Sequence, residues 1–314
     1  MILVTGASGF VGRSLISRLV NDSLEVRACV RKGHFPLSDT VDVVDGHDLS
    51  DNTDWHNVLE GVGVVMHLAA RVHVMKDKVA DPLAEFRKVN VDGTLNLAQQ
   101  AAMAGVKRFI FISSIKVNGE HTEKGRPFTE NDAPNPQDAY GISKLEAEQG
   151  LLKIAQQTGM EVVIIRPPLV YGPGVKANFA SMMKAIRRKM PLPLGSINNK
   201  RSFVYVENLV SLIVCCINHA NAANQTFLVS DGQDLSTTEL LRGCAVALNV
   251  NTWLLPVPKK IIEVAATLLG KRDVAQRLCG NLQVDITKTR TLLGWAPPIT
   301  VEVGLKITAL AMPD

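Results

Sequence analysis

Residues 2–12 read ILVTGASGFVG: a short apolar run, a turn holding Gly6, Gly9 and Gly12, and the first residues of a helical pattern. A Val/Ile-rich run closed by glycines and followed by FVGRSLISRLV, whose apolar residues recur at helical spacing, is the strand–turn–helix opening of a βαβ unit. The alternation continues outward through LEVRACV (24–30), VVMHLAA (64–70), a helix expected over 83–104, RFIFISS (108–114), a helix expected over 139–158 and EVVIIRP (161–167). Strands buried on both faces read as continuous apolar runs, so the series predicts an α/β fold with a doubly wound parallel sheet and helices on both sides. A dinucleotide-binding domain is expected over 1–166, with 203–231 returning to it and FLVS (227–230) as a further strand. Residues 167–202 and 232–314, richer in Pro, Gly and short elements, are expected to form a smaller mixed α/β domain for the substrate.

Composition narrows the function classes. The 314 residues carry 34 Lys and Arg against 30 Asp and Glu, a net charge of only +4, and the aromatic content is 5%. Nucleic-acid grooves need a basic stripe and stacking rings, and neither is present in this pattern. Cys29, Cys215, Cys216, Cys244 and Cys279 form no CxxC pair and lie in apolar stretches, so buried free thiols and a cytoplasmic location are expected, with no metal site. No uncharged apolar run approaches the roughly 20 residues of a membrane span. The segment IIEVAATLLG (261–270) is interrupted by Glu263 and flanked by Lys259, Lys260, Lys271 and Arg272. It reads either as a buried helix or as a helix lying on a membrane surface.

Glycines between a first strand and a first helix let backbone amides and the helix N-terminus, including those of Phe10 and Val11, cradle a pyrophosphate. The GxxGxxG spacing makes the turn one residue wider than GxGxxG. In NAD-selective folds an acid about 20 residues on accepts the adenosine ribose hydroxyls. Val30 stands at that place, followed by Arg31, Lys32 and His34, so cations lie where a 2′-phosphate would sit and NADP is preferred over NAD. Asp48, followed by Leu49, is placed to reach the adenine amino group, with a loop cap as the plain alternative.

DAYGISKLEAE (138–148) sets Tyr140 and Lys144 four residues apart on one helical face. An ammonium beside a phenol favours the phenolate, and bringing a tyrosine from about 10 to about 7 takes roughly 4 kcal/mol. Alone the spacing says little. In order along the chain, however, stand GxxGxxG, HLAA with Leu68, Ala69 and Ala70, Asn90 in NVDGT, Ser113 and Ser114 after RFIFI, then Tyr140 and Lys144, and LLGW at 292–295. This constellation resembles the extended short-chain dehydrogenase/reductase family over essentially the whole chain, most closely its NAD(P)-dependent nucleotide-sugar epimerases and reductases of the UDP-glucose 4-epimerase type.

The resemblance implies that Ser114 hydrogen-bonds the reacting oxygen, Tyr140 is the general acid or base, and Lys144 binds the nicotinamide ribose and acidifies Tyr140. It further implies that Asn90 supports the proton path and that Pro167, Pro168, Leu169 and Val170 close over the nicotinamide. Asn178, Arg201 and Arg272 match positions that bind a UDP-sugar diphosphate, Leu192 in PLPL lines the uracil pocket, and Lys116 lies on the substrate side. Relatives that eliminate water carry Thr-Asp-Glu where this chain reads Ser114, Ile115 and Lys116, so dehydration is not expected. Two chemistries compete: reduction of a 4-keto-6-deoxy, N-acetylated UDP-hexose by NADPH, and 4-epimerisation with tightly held NAD. Val30 and Arg31 lean toward reduction. Reduction of another small carbonyl compound and a non-catalytic NADP-sensing scaffold are the remaining alternatives. Relatives pair through the helices near 83–104 and 139–158, which implies a homodimer.

Overall fold

Alternate residues of the central strands face opposite sides of the sheet, and that parity divides the core. The computed structural model describes residues 1–31, 40–72 and 81–312; Lys32 and His34 lie outside them. The strands are β1 (Ile2–Thr5), β2 (Val26–Val30), β3 (Asp42–Asp45), β4 (Val64–His67), β5 (Arg108–Ile112), β6 (Glu161–Arg166), β7 (Leu169–Tyr171), β8 (Phe203–Tyr205) and β9 (Gln225–Leu228). Seven of them form a parallel sheet in the order β3-β2-β1-β4-β5-β6-β9, and β7 pairs with β8 in a small parallel sheet. The strand expected near 227–230 thus lies beside β6.

The helices are α1 (Phe10–Asn21), α2 (His56–Leu59), α3 (Pro82–Arg87), α4 (Thr94–Met103), α5 (Ala139–Thr158) and α6 (Ala177–Arg187). They continue with α7 (Val206–Cys215), α8 (Thr237–Ala247), α9 (Lys259–Leu268), α10 (Arg272–Cys279), α11 (Thr287–Leu293) and α12 (Val301–Leu310). On one face Val4, Met66, Ile110, Val163 and Ile165 pack with Leu15, Ile16 and Leu19 of α1 and Leu209, Leu212 and Ile213 of α7. On the other, Leu3, Val65, Phe109, Phe111, Val162 and Ile164 meet Leu97 and Ala101 of α4 and Ala147, Leu151 and Ile154 of α5. Odd and even positions of one strand therefore feed two separate layers. A third cluster, including Tyr171, Phe179, Met183, Ile186, Leu240, Leu241 and Leu305, holds the C-terminal elements together.

Two expectations are corrected. The helix expected over 83–104 is interrupted by a π-helical turn at Lys88–Gly93. A Cβ on Gly93 would lie 2.7 Å from the Leu49 carbonyl carbon, so the extra residue sits where the helix backbone is pressed onto the loop after β3. The apolar segment at 261–270 is not a buried helix: α9 has no buried residue. Cys29, Cys216, Cys244 and Cys279 are buried and Cys215 half-buried, all as free thiols.

Candidate active site

Strand order reverses between β1 and β4, and such a switch point opens a crevice at the carboxyl ends of the strands. Gly6 takes a left-handed φ of +71°, and a Cβ there would come within 2.7 Å of the Ala69 amide nitrogen. A Cβ on Gly12 would stand 2.2 Å from the Gly6 carbonyl oxygen. The β1 turn, α1 and the end of β4, which runs into Leu68, Ala69 and Ala70, are therefore packed backbone to backbone, which glycine alone permits. Gly9 caps α1 without a side chain, and the helix carries no acid in its first turn. The amides at Phe10 and Val11 thus face no side-chain acceptor and no repelling carboxylate, and the cradle fits a dinucleotide pyrophosphate.

Beneath the turn, a buried chain crosses three elements. Thr5 Oγ1 meets His67 Nδ1 at 2.7 Å and His67 Nε2 meets Thr94 Oγ1 at 3.0 Å, while the Ala69 amide donates to Thr5 Oγ1 at 3.3 Å. Burial, and then the Lys144 charge, lowers the His67 pKa to about 3, so the ring is a neutral spacer that holds the ends of β1 and β4 to α4. Sequence reading passed over this histidine; its place at the end of an apolar strand was the available signal. At the outer edge β2 ends on buried Val30, followed by exposed Arg31, and the register sets Asp45 of β3 beside Val30. Asp48 is exposed and Leu49 half-buried.

Asp138 caps α5 by accepting from the Gly141 amide at 2.7 Å, and its second oxygen is held by the Lys116 ammonium. Glu120 Oε1 takes the same ammonium at 3.0 Å. Lys116, expected on the substrate side, is thus engaged by two carboxylates and tethers the turn after Ser114 to the start of α5. Tyr140, in the first turn of α5, is half-buried with its ring edge-on to Phe86 at 6.0 Å between centroids. Asn90, in the π turn, accepts from the Arg71 amide at 2.8 Å and donates to the Arg71 carbonyl at 3.0 Å and to Ser143 Oγ at 3.0 Å. Ser143 in turn donates to the Tyr140 carbonyl at 2.8 Å, so the π turn aims Asn90 at the turn carrying the phenol.

Lys144 is fully buried; its Nζ donates to the Ile112 carbonyl at 2.8 Å and sits 4.3 Å from the Phe111 ring centroid. Ile112 ends β5, two residues before Ser114, whose Oγ accepts from the Lys116 amide at 3.2 Å and so caps the short turn that follows. The Ile115 amide donates to the Pro167 carbonyl at 3.0 Å, and Pro167 and Pro168 are buried, with Val170 half-buried behind them. The protein's own atoms do not yet acidify the phenol. Burial, and then the Asp138 charge, pushes Tyr140 up, while burial lowers Lys144 to about 7 against an opposing pull from Glu148. A cation added at the site is what would reverse the balance at Tyr140.

One turn beyond Lys144, Glu148 forms a buried bidentate pair with Arg166 of β6: Nε to Oε1 at 3.0 Å and Nη2 to Oε2 at 2.6 Å. Ser113 donates its hydroxyl to Glu148, and Arg166 donates to Asn118 Oδ1 at 2.9 Å. This network escaped sequence reading, although Glu148 continues the i, i+4, i+8 row of Tyr140 and Lys144.

The expected diphosphate contacts are less gathered. Arg201 is half-buried, donates to the Gly280 carbonyl at 3.2 Å, and is lowered to about 10 by burial and then by the like charge of Arg277. Arg277 was not anticipated. Exposed Arg272 lines a groove of about 1030 Å³ with Lys259, Lys260, His121, Gly280 and Asn281. His121 and Thr122 reach this groove only a few residues after Ser114, where the Thr122 amide donates to the Asn281 carbonyl at 3.0 Å. Asn178 is exposed in the first turn of α6, and Leu192 is half-buried in a bridge to Leu254.

Residues 2–230 match the profile of a family described as the NAD dependent epimerase/dehydratase family. The chain is 53% identical over 312 residues to a UDP-glucose 4-epimerase of Vibrio cholerae, covering 99% of this chain and 94% of that one. It is 28% identical to the N-acetyl-alpha-D-glucosaminyl-diphospho-ditrans,octacis-undecaprenol 4-epimerase of Escherichia coli O157:H7, over 98% of this chain and 93% of that one. Among solved structures, RMD from Pseudomonas aeruginosa complexed with NADPH is similar at a TM-score of 0.74 and 26% identity, covering 99% and 98% of the two chains.

Proposed function

We infer from two facts, that the chain belongs to the NAD dependent epimerase/dehydratase family and that β2 ends on Val30, followed by Arg31 and not by an acid, that it is an NADP-dependent 4-ketoreductase. Its proposed substrate is a UDP-linked, N-acetylated 4-keto-6-deoxy hexose. The dinucleotide, when bound along the Gly6–Gly12 cradle, supplies the hydride and the positive charge of its oxidised ring. In this reading the Ser114 hydroxyl orients the oxygen on C4, and Tyr140 gives its phenolic proton to that oxygen. Lys144, fixed on the Ile112 carbonyl, stands ready to bind a ribose hydroxyl and to stabilise the phenolate. Arg201, with Arg277 near it, and Arg272, with Lys259 and Lys260 in the groove lining, are assigned to the diphosphate, where guanidinium forks bond phosphate oxygens in pairs.

The observation that carries the reductase reading is the end of β2, where an exposed cation follows a strand that lacks the ribose-binding acid. Titration of the purified protein with NADPH and NADH tests it: NADPH is expected to bind about tenfold tighter or more, and Arg31→Glu to remove the preference. NAD released at near-unit stoichiometry on denaturation would instead favour the second reading, a 4-epimerase that retains its cofactor. That reading is supported by the Vibrio cholerae relative and by Asp45, which stands beside Val30. The Escherichia coli relative's name places its sugar on a polyprenol diphosphate, so that carrier belongs in the assays beside UDP. A homodimer through α4 and α5 is proposed on the exposed Met103 and Leu152, with light scattering as its test.

A further inference from the structure

Helix α9 keeps its hydrophobic side in water. Ile261 is 58% exposed, Val264 61% and Leu268 83%, and their i, i+3, i+7 spacing makes one continuous stripe. Leu269, just past the helix, is 72% exposed, and Trp253, before it, 68%. On its inner side Ile262 packs against the C-terminal core, while Lys259, Lys260, Glu263 and Thr267, together with Val264 and Leu268 of the stripe itself, line the groove, so the stripe runs along the groove's edge and Ile261 and Leu269 lie off it. Val274 of α10 is also half in water, at 50% exposure. The charge around it is one-sided: residues 253–279 contain Lys259, Lys260, Lys271, Arg272 and Arg277 against Glu263 and Asp273. Glu263 is itself paired with Lys259 at 3.5 Å.

An apolar stripe on a helix whose segment carries a net positive charge, with an exposed tryptophan six residues before the helix, complements an anionic lipid surface. The helix is ten residues long and has no capacity to span a bilayer; among the described residues no helix does. We propose that the α9 stripe, with Trp253 and Leu269, seats this protein peripherally on a membrane bearing anionic lipid. Ile261 and Leu269 enter the headgroup boundary and Lys271, off the groove, reaches toward the lipid phosphates, while Lys259 and Lys260 stay with the groove. Because α9 also walls the groove that holds Arg272, docking brings the mouth of that groove to the bilayer surface. The proposal holds whichever carbonyl or alcohol the active site handles.

The test is co-sedimentation of the full-length protein with vesicles of phosphatidylcholine alone and of phosphatidylcholine mixed with phosphatidylglycerol. The wild type is expected to partition onto the anionic vesicles about tenfold or more over the neutral ones, and to be released by high salt. Ile261→Glu/Leu269→Glu, both at exposed positions off the groove, is expected to lose at least about tenfold of that partitioning. Its far-ultraviolet circular dichroism and NADPH affinity are expected to be unchanged. Wild-type protein left in the supernatant with both vesicle types would overturn the proposal, as would equal partitioning of the double variant. So would light scattering that shows a wild-type dimer dissolved by the double variant, because a second copy would then cover the stripe.

Discussion

Replacing Glu148 with Gln tests whether a buried ion pair ties the helix carrying Tyr140 and Lys144 to the sheet. The Arg166 and Glu148 side chains are only 7% and 3% exposed, and the pair is bidentate. Glutamine keeps the shape but leaves the Arg166 guanidinium without its counter-charge, and breaking one side of such a pair costs about 3–5 kcal/mol. Removing both charges in Glu148→Met/Arg166→Met leaves no buried charge unpaired, although the Ser113 hydroxyl and Asn118 Oδ1 each lose a partner, and the same reasoning makes that double variant more stable than the single ones by a few kcal/mol. Urea unfolding followed by tryptophan fluorescence, with Arg166→Met completing the cycle, measures the coupling. The carboxylate also supports the Lys144 proton, so Glu148→Gln is expected to move the Lys144 pKa further below about 7. A Glu148→Gln cost under about 1 kcal/mol, or a double variant that costs the sum of the singles, would refute this account of the network.

Tyr140→Phe should lower turnover by roughly two to four decades while leaving dinucleotide affinity intact, the size expected of a lost general acid; stopped-flow rates check it. Gly12→Ala puts a methyl 2.2 Å from the Gly6 carbonyl and is expected to abolish NADPH binding by calorimetry, because the turn must move off its cradle. Lys144 makes stability depend on pH in a defined direction. Its folded pKa is depressed from 10.5 to about 7, so between those values the unfolded chain holds a proton that the folded one does not. This contribution to stability therefore rises with pH through that window, by up to about 1.4 kcal/mol per pH unit, and the penalty is complete below about 7. In cofactor-free protein the unfolding free energy of wild type relative to Lys144→Met should climb from pH 7 to pH 9; a flat difference would contradict the buried ammonium.

The sheet and the cofactor turn were legible because both rest on local pattern. Apolar runs at strand length, glycines at a strand end and an i, i+4 Tyr–Lys pair survive any tertiary context. What escaped reading depends on contacts between distant segments. The π turn ends where Gly93 is pressed onto Leu49, a packing contact that helix propensity does not encode. Lys116 reads as a substrate-side residue until Asp138 and Glu120 are folded beside it. Arg166 and Glu148 lie on different elements, and neither flanking sequence announces a partner. For α9 the apolar content was plain, but whether a stripe is covered depends on what packs against it, and there the buried-helix alternative failed. The diphosphate set was read from resemblance, and the structure adds Arg277 and the two lysines of α9 to its surroundings.

The most direct test follows absorbance at 340 nm while a UDP-linked 4-keto-6-deoxy N-acetylhexosamine is mixed with the purified protein and NADPH, with the product identified by NMR. One NADPH oxidised per sugar reduced at C4, abolished in Tyr140→Phe, is the predicted result. Inversion of a 4-hydroxy UDP-sugar with no net change in absorbance, and no reduction of the keto sugar, would contradict it.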